Sequence, residues 1–260
     1  MSRRGFALLA VLWVLTALTA LVGTGLLVAR LGADTTRNRV LLARAEWARE
    51  ACGEILQARF ATDPSVRTIE PIDLGRGTWC RAVLDDPTAK LNLNTADREA
   101  LVRLFAAAGV DSALADSVVI ARRTGTIYDI RQFGSIDSAQ AAHLSRFVTT
   151  RGTGVVNVNA APPEVLRVLP GLSEEAVVVL MGRRGVPILN ADELAGALSR
   201  SSRALLLNNY AEFVRATVFS PPQLVATIEG GVRGTSIVVR ATLTTVPVPG
   251  RLAVIRRESE

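Results

Sequence analysis

Residues 6–29 carry no charged side chain: FALLAVLWVLTALTALVGTGLLVA. As an α-helix this run is about 36 Å long at roughly 1.5 Å per residue, enough to cross a hydrocarbon core of about 30 Å with some tilt. It is apolar on every side, whereas a helix lying on a globular surface keeps a polar face. Gly23 and Gly25 weaken its second half, but lipid offers the backbone no alternative to intra-helical bonds. Beyond it Leu41, Ala45, Ala48, Cys52, Ile55, Leu56 and Phe60 recur at spacings of three and four, and no proline stands between Phe6 and Phe60. The spacing predicts one long helix whose first half suits lipid and whose second half is amphipathic.

Ahead of the run stand Met1-Ser2-Arg3-Arg4-Gly5. A short basic leader ending in Gly, then Phe, then an unbroken apolar helix resembles the type IV prepilin class. That resemblance implies cleavage between Gly5 and Phe6 by a prepilin peptidase, followed by methylation of the new N-terminus. A plain signal-anchor helix and a removable secretory signal remain alternatives. The last is disfavoured because its apolar core runs to about 7–15 residues before an A-x-A-like exit. Most pilin-type helices resemble one another in carrying Glu five residues after the cut, and here that residue is Ala10. A carboxylate at membrane depth is costly unless paired. Its absence suits a subunit with no neighbour ahead of it, at the tip of a fibre. Arg3 and Arg4 on one flank are answered by Arg30, Arg37 and Arg39 on the other, so the positive-inside rule does not decide orientation.

The length of 260 residues and 49% hydrophobic content leave room for one large or two small domains beyond the anchor. The net charge of +6 is almost all arginine, since Lys90 is the only lysine, and the arginines are scattered among acids. No block is long enough to read as a nucleic-acid arm. Two cysteines, Cys52 and Cys80, exclude a four-thiolate zinc site. His143, the single histidine, all but excludes Ser-His-Asp or Cys-His catalysis. No phosphate loop, nucleophile elbow or metal-ligand spacing occurs, so the chain reads as a non-enzyme.

Asp63-Pro64-Ser65 is expected to end the long helix, and residues 66–94 read as extended chain with turns at Pro71 and at Gly75-Arg76-Gly77. Along residues 78–84, Cys80, Ala82 and Leu84 share one face of a strand. That small apolar face suits the helix stripe bearing Cys52, Ile55 and Leu56. A Cys52–Cys80 bridge would staple helix to strand, worth about 3–4 kcal/mol on the chain-entropy model. The alternative is a pair of buried free thiols.

An internal repeat follows. LNLNTADREALVRL at residues 91–104 aligns with VNVNAAPPEVLRVL at 156–169, matching Asn92 to Asn157 and Asn94 to Asn159. Each copy continues into a Gly turn, Gly109-Val110 or Gly171-Leu172, and a second helix ending in Arg122-Arg123 or Arg183-Arg184. Pro162 and Pro163 fit only a helix's first turn. Asp137 with Gln140, and Asn190 with Glu193, have the spacing of capping boxes. From Leu206 the texture reads as strand, with Gly230-Gly231 and Gly234 expected to make turns.

The second copy resembles a helix-hairpin-helix, whose Gly turn presents backbone N–H groups to a phosphate at a helix N-terminus. Membrane-anchored competence receptors for DNA carry a similar hairpin, and that is the alternative function. The turns argue against it: Ser173-Glu174-Glu175 follow one and Asp111 and Asp116 the other, so acids fill the place a phosphate needs. No nucleic-acid partner is expected.

Taken in order, the leader RRGFALLAVLWVL without its acidic fifth residue, the LNLNTA and VNVNAAPPEVL pair, and the strand-rich tail resemble the general secretion pathway protein K family, the large minor pseudopilins of type II secretion. The resemblance departs at Ala160, where the second motif has no Thr. It implies an α+β fold in which a pilin-like long N-terminal helix packs on an antiparallel sheet, with a helical domain inserted between strands. The corresponding domains are the leader 1–5, the transmembrane half 6–29, the amphipathic helix and first strands 30–90, the insertion 91–205 and the final strands 206–260. The implied role is a subunit at the pseudopilus tip, bound to two smaller minor pseudopilins, anchored in the inner membrane with its body in the periplasm. Some family members bind calcium. Asp85 and Asp86 offer the right oxygens, though adjacent strand residues point to opposite faces and turn-forming acids before Pro87 are the preferred reading.

Overall fold

The computed structural model describes residues 3–259, with side chains from 11 to 258. One uninterrupted helix, α1 (Arg3–Thr62), holds both the apolar run and the amphipathic stretch. It stops where expected. Pro64 has no N–H to continue the ladder, and the Asp63 carboxylate accepts hydrogen bonds from Ser65 N and Oγ. Strands β1 (Thr68–Gly75) and β2 (Thr78–Asp85) form a hairpin around Gly75-Arg76-Gly77, all three at positive φ. Pro71 does not turn the chain. It lies inside β1 at a register shift between Ile69 and Ile72, on the sheet edge where a missing N–H is tolerated.

After β2 the chain leaves the sheet for residues 86–223. It forms β3 (Leu91–Asn92), α2 (Arg98–Ala107), α3 (Leu114–Thr124), α4 (Ser138–Leu144), β4 (Val148–Thr149) and β5 (Val156–Asn157). Then come α5 (Pro163–Leu166), α6 (Glu174–Gly182), α7 (Ala191–Gly196), α8 (Arg200–Asn208), α9 (Tyr210–Ala216) and β6 (Thr217–Val218). Residues 206–216, read from their composition as strand, are therefore helical. Leu206 and Phe213 are fully buried in the insertion's core, and burial of that apolar stripe outweighs the strand propensity of the segment.

The chain re-enters the sheet as β7 (Leu224–Val232), β8 (Val238–Val248) and β9 (Arg251–Ser259), giving the antiparallel order β1-β2-β7-β8-β9. Gly230 and Gly231 do not turn; they pair with Cys80 and Trp79 in mid-ladder, and only Gly234 bends the chain, at φ 73°. One core lies between α1 and the sheet, built from Ala48, Cys52, Leu56 and Phe60 against Cys80, Ala82, Leu84, Ala226 and Ile228. The other fills the insertion around Leu101, Phe105, Leu144, Leu166, Leu180 and Phe213. Gln57 fastens α1 to the far edge by hydrogen bonds to both backbone groups of Leu252.

Candidate functional site

From Val11 to Val40 every residue of α1 is exposed; Trp13 is 69% exposed and Leu21 74%. The uncharged part of this helix is long and apolar enough to cross a membrane, and its bare apolar surface is consistent with a pilin-like anchor. Thr16, Thr19 and Thr24 hide their hydroxyls by bonding to carbonyls one turn back, as lipid demands. Gly5, Phe6 and Ala10 lie on this helix, but their side chains fall outside the described residues.

At the other end of α1 the sheet begins to cover the stripe of Ala45, Ala48, Cys52, Leu56 and Phe60. Cys52 and Cys80 meet there, both fully buried. Both are free thiols in this structure and belong to the same buried core cluster. Burial pushes both thiols above the usual range, so they stay protonated and unreactive inside the fold.

The duplicated motif builds two equivalent clamps. In the first, Asn94 N donates to Asn92 Oδ1, Ile127 N donates to Asn94 Oδ1, and Asn94 Nδ2 donates to the carbonyls of Ile127 and Thr150. In the second, Asn159 N donates to Asn157 Oδ1, Ile188 N donates to Asn159 Oδ1, and Asn159 Nδ2 donates to Ile188 and Phe219 carbonyls. Each clamp ties a two-residue parallel ladder, β3 with β4 or β5 with β6, to the loop beyond a hairpin. These asparagines hold backbone together; their hydrogen-bonding capacity is spent inside the chain.

The hairpin turns are filled in the same way. Gly109 and Gly171 take positive φ, 71° and 75°, as such turns require. Asp111 then accepts from Ala113 N, and Ser173 caps α6 through Ala176 N. Asp116 and Glu174, in the first turns of α3 and α6, are held by Arg98 and Arg167 and lie below the usual carboxylate range because of those hydrogen bonds. Arg122 reaches inward to the Ala96 carbonyl, Arg184 to those of Ala160 and Ala161, and Arg183 pairs with Glu193. Three of the four hairpin arginines are thus engaged within the chain, and Arg123 is exposed. The box at Asp137 and Gln140 is complete, whereas Glu193 reaches past Asn190 to Leu189 N.

Asp85 and Asp86 do not fit a calcium ion. Asp86 is buried, with Oδ1 accepting from Thr88 N and Oγ1 and Oδ2 accepting from Asn157 Nδ2, so both oxygens are already engaged. Asp85 stands exposed, and among the described residues no three His, Cys, Asp or Glu side chains gather as a ligand set.

No family model and no curated protein matches this chain. Among solved structures it is similar to a chain of the GspK-GspI-GspJ complex from the enterotoxigenic Escherichia coli Type 2 Secretion System, with a TM-score of 0.60. The match covers 87% of this chain and 99% of that one at 14% identity. The fold is pilin-like.

Within this pilin-like sheet sits a charged cluster that the sequence reading missed. Glu229 on β7 lies directly opposite Arg81 on β2 and Arg240 on β8. Its carboxylate, 6% exposed, accepts from Arg81 Nε at 2.5 Å and from Arg240 Nη2 at 2.6 Å. The two cations hold Glu229 below the usual range, Arg81 first. The strand alternation could have put all three on one face, but only the register makes them neighbours.

Proposed function

We propose that this chain is a minor pseudopilin at the tip of a type II secretion pseudopilus, processed between Gly5 and Phe6 and supporting protein export across the outer membrane. The observation that carries the proposal is the place of the insertion. Residues 86–223 leave and re-enter the sheet between β2 and β7, two hydrogen-bonded neighbours. A pilin-like rod-and-sheet subunit thereby acquires a second body with its own core. Such a head is too broad to repeat along a thin fibre but suits its end. Ala10 agrees, having no carboxylate to pair with a subunit ahead.

On this reading the apolar half of α1 holds the chain in the inner membrane, and the body lies in the periplasm. Two smaller minor pseudopilins are the partners, as in the GspK-GspI-GspJ complex whose fold it shares. The role is one of interaction rather than catalysis. The competence-receptor alternative gains no support from the hairpins, where Asp111, Asp116 and Glu174 follow the Gly turns and Arg122 and Arg184 bond carbonyls within the chain.

Mass spectrometry of the chain recovered from the cell envelope tests the proposal. A polypeptide beginning at a methylated Phe6, co-eluting with two smaller pseudopilins, is the expected result. A chain still beginning at Met1, or one retained on DNA in a salt-dependent way, overturns it.

A further inference from the structure

The pair of thiols between α1 and β2 belongs neither to the anchor nor to the insertion. Both residues are fully buried in one core cluster, one on the helix, the other on the strand. The close approach of helix and strand is imposed by backbone. Cys80 pairs with Gly230, and there the missing side chain lets α1 descend onto β7 beside Ala45 and Arg49. No bulky group separates helix from strand at this level, where Ala48 and Ala82 also are fully buried. We infer that Cys52 and Cys80 are joined by a disulfide as the chain folds outside the cytoplasm, stapling the anchor helix to the sheet. The inference rests on the periplasmic placement proposed above.

The step balances as a thiol–disulfide exchange with an oxidant of the disulfide class, either a protein oxidase or oxidised glutathione. One cysteine thiolate attacks the oxidant disulfide and forms a mixed disulfide. The second thiolate displaces it, forming the Cys52–Cys80 bond. Two thiol protons and two electrons leave the chain, and the oxidant departs as two thiols. Because folded Cys52 and Cys80 are protonated and shielded from solvent, the exchange precedes closure of α1 on the sheet. Once made, the bond is sealed from reductant by the same packing. Its mechanical position suits the proposed role, since drawing α1 out of lipid loads the joint between helix and sheet.

The test uses the full-length chain in detergent. Chain from the cell envelope is unfolded without reductant in the presence of an alkylating agent, digested and mapped by mass spectrometry. A second sample is synthesised cell-free in detergent micelles with oxidised glutathione and treated identically. The expected result is loss of all cysteine alkylation in both samples, with a linked Cys52–Cys80 peptide pair that separates on reduction. Alkylation of both cysteines, or glutathione adducts, in both samples overturns the pairing. Free thiols in the envelope chain beside a bridged cell-free chain overturn the inference through the periplasmic placement, and spare the geometry.

Discussion

Gly230 lies directly beneath the backbone of α1 at Ala45. A Cβ there would be driven into the Ala45 carbonyl oxygen and the Arg49 amide, neither of which is the yielding end of a side chain. The helix and the central strand thus touch backbone to backbone, and this contact sets how closely the rod and the sheet combine.

Gly230→Ala should therefore destabilise the chain by about 1–3 kcal/mol or more, since overpacking of a close-packed contact forces backbone to shift. Gly182→Ala, with nothing within 4 Å of the added carbon, should change stability by less than about 1 kcal/mol. Denaturant unfolding in detergent, followed by circular dichroism, compares the two.

Asn159→Ala removes the acceptor for Ile188 N and the donor to Ile188 and Phe219 carbonyls. Leaving partly buried backbone groups unpaired should cost about 1–3 kcal/mol. Hydrogen exchange supplies the local readout: the Ile188 amide should lose protection, while Ile127, held by the intact Asn94 clamp, should keep it.

Glu229 makes the sheet sensitive to acid. Its depressed carboxyl contributes stability that is fully present above the ordinary value of about 4.5, and that is lost as pH falls from there through the folded value. Glu229→Gln should flatten that part of the stability-versus-pH curve. At neutral pH it should cost about 1–3 kcal/mol, because Arg81 and Arg240 are half exposed and retain part of their hydration. An unchanged acid limb in the variant would assign the sensitivity to other carboxylates.

Arg122→Ala and Arg184→Ala should each lower stability by about 0.5–1.5 kcal/mol through loss of the bonds to the Ala96 and Ala161 carbonyls. The two sites sit in separate clamps, so the double variant should be nearly additive. Filter retention of duplex DNA at low salt should be the same for wild type and variants; a drop in the variants would mean that these arginines face phosphate.

Much of this architecture was legible in the chain before any coordinates. The span of α1 follows from the absence of proline and the run of apolar residues, and its end from Asp63-Pro64. The facing of Cys80, Ala82 and Leu84 onto Cys52 and Leu56 follows from period-two and period-3.6 patterns. The asparagine pairs announced a duplication, though not that each would clamp an isoleucine about thirty residues on. Misreadings arose where local chemistry permitted two outcomes. Gly230-Gly231 suits a turn or a close approach, and residues 206–216 contain apolar residues that suit a strand or a helix.

Sequence alone determined the elements whose cause is local: the uncharged rod, the proline stop, the capped helices and the repeated hairpin. Tertiary structure alone decided that β7 would meet α1 at Gly230, that Glu229 would stand between two arginines, and that Asp86 would be claimed by Thr88 and Asn157. Hydrogen bonding and apolar spacing within a few residues settle the first group. Strand register and the meeting of distant backbones settle the second, and neither is written in any short stretch of chain.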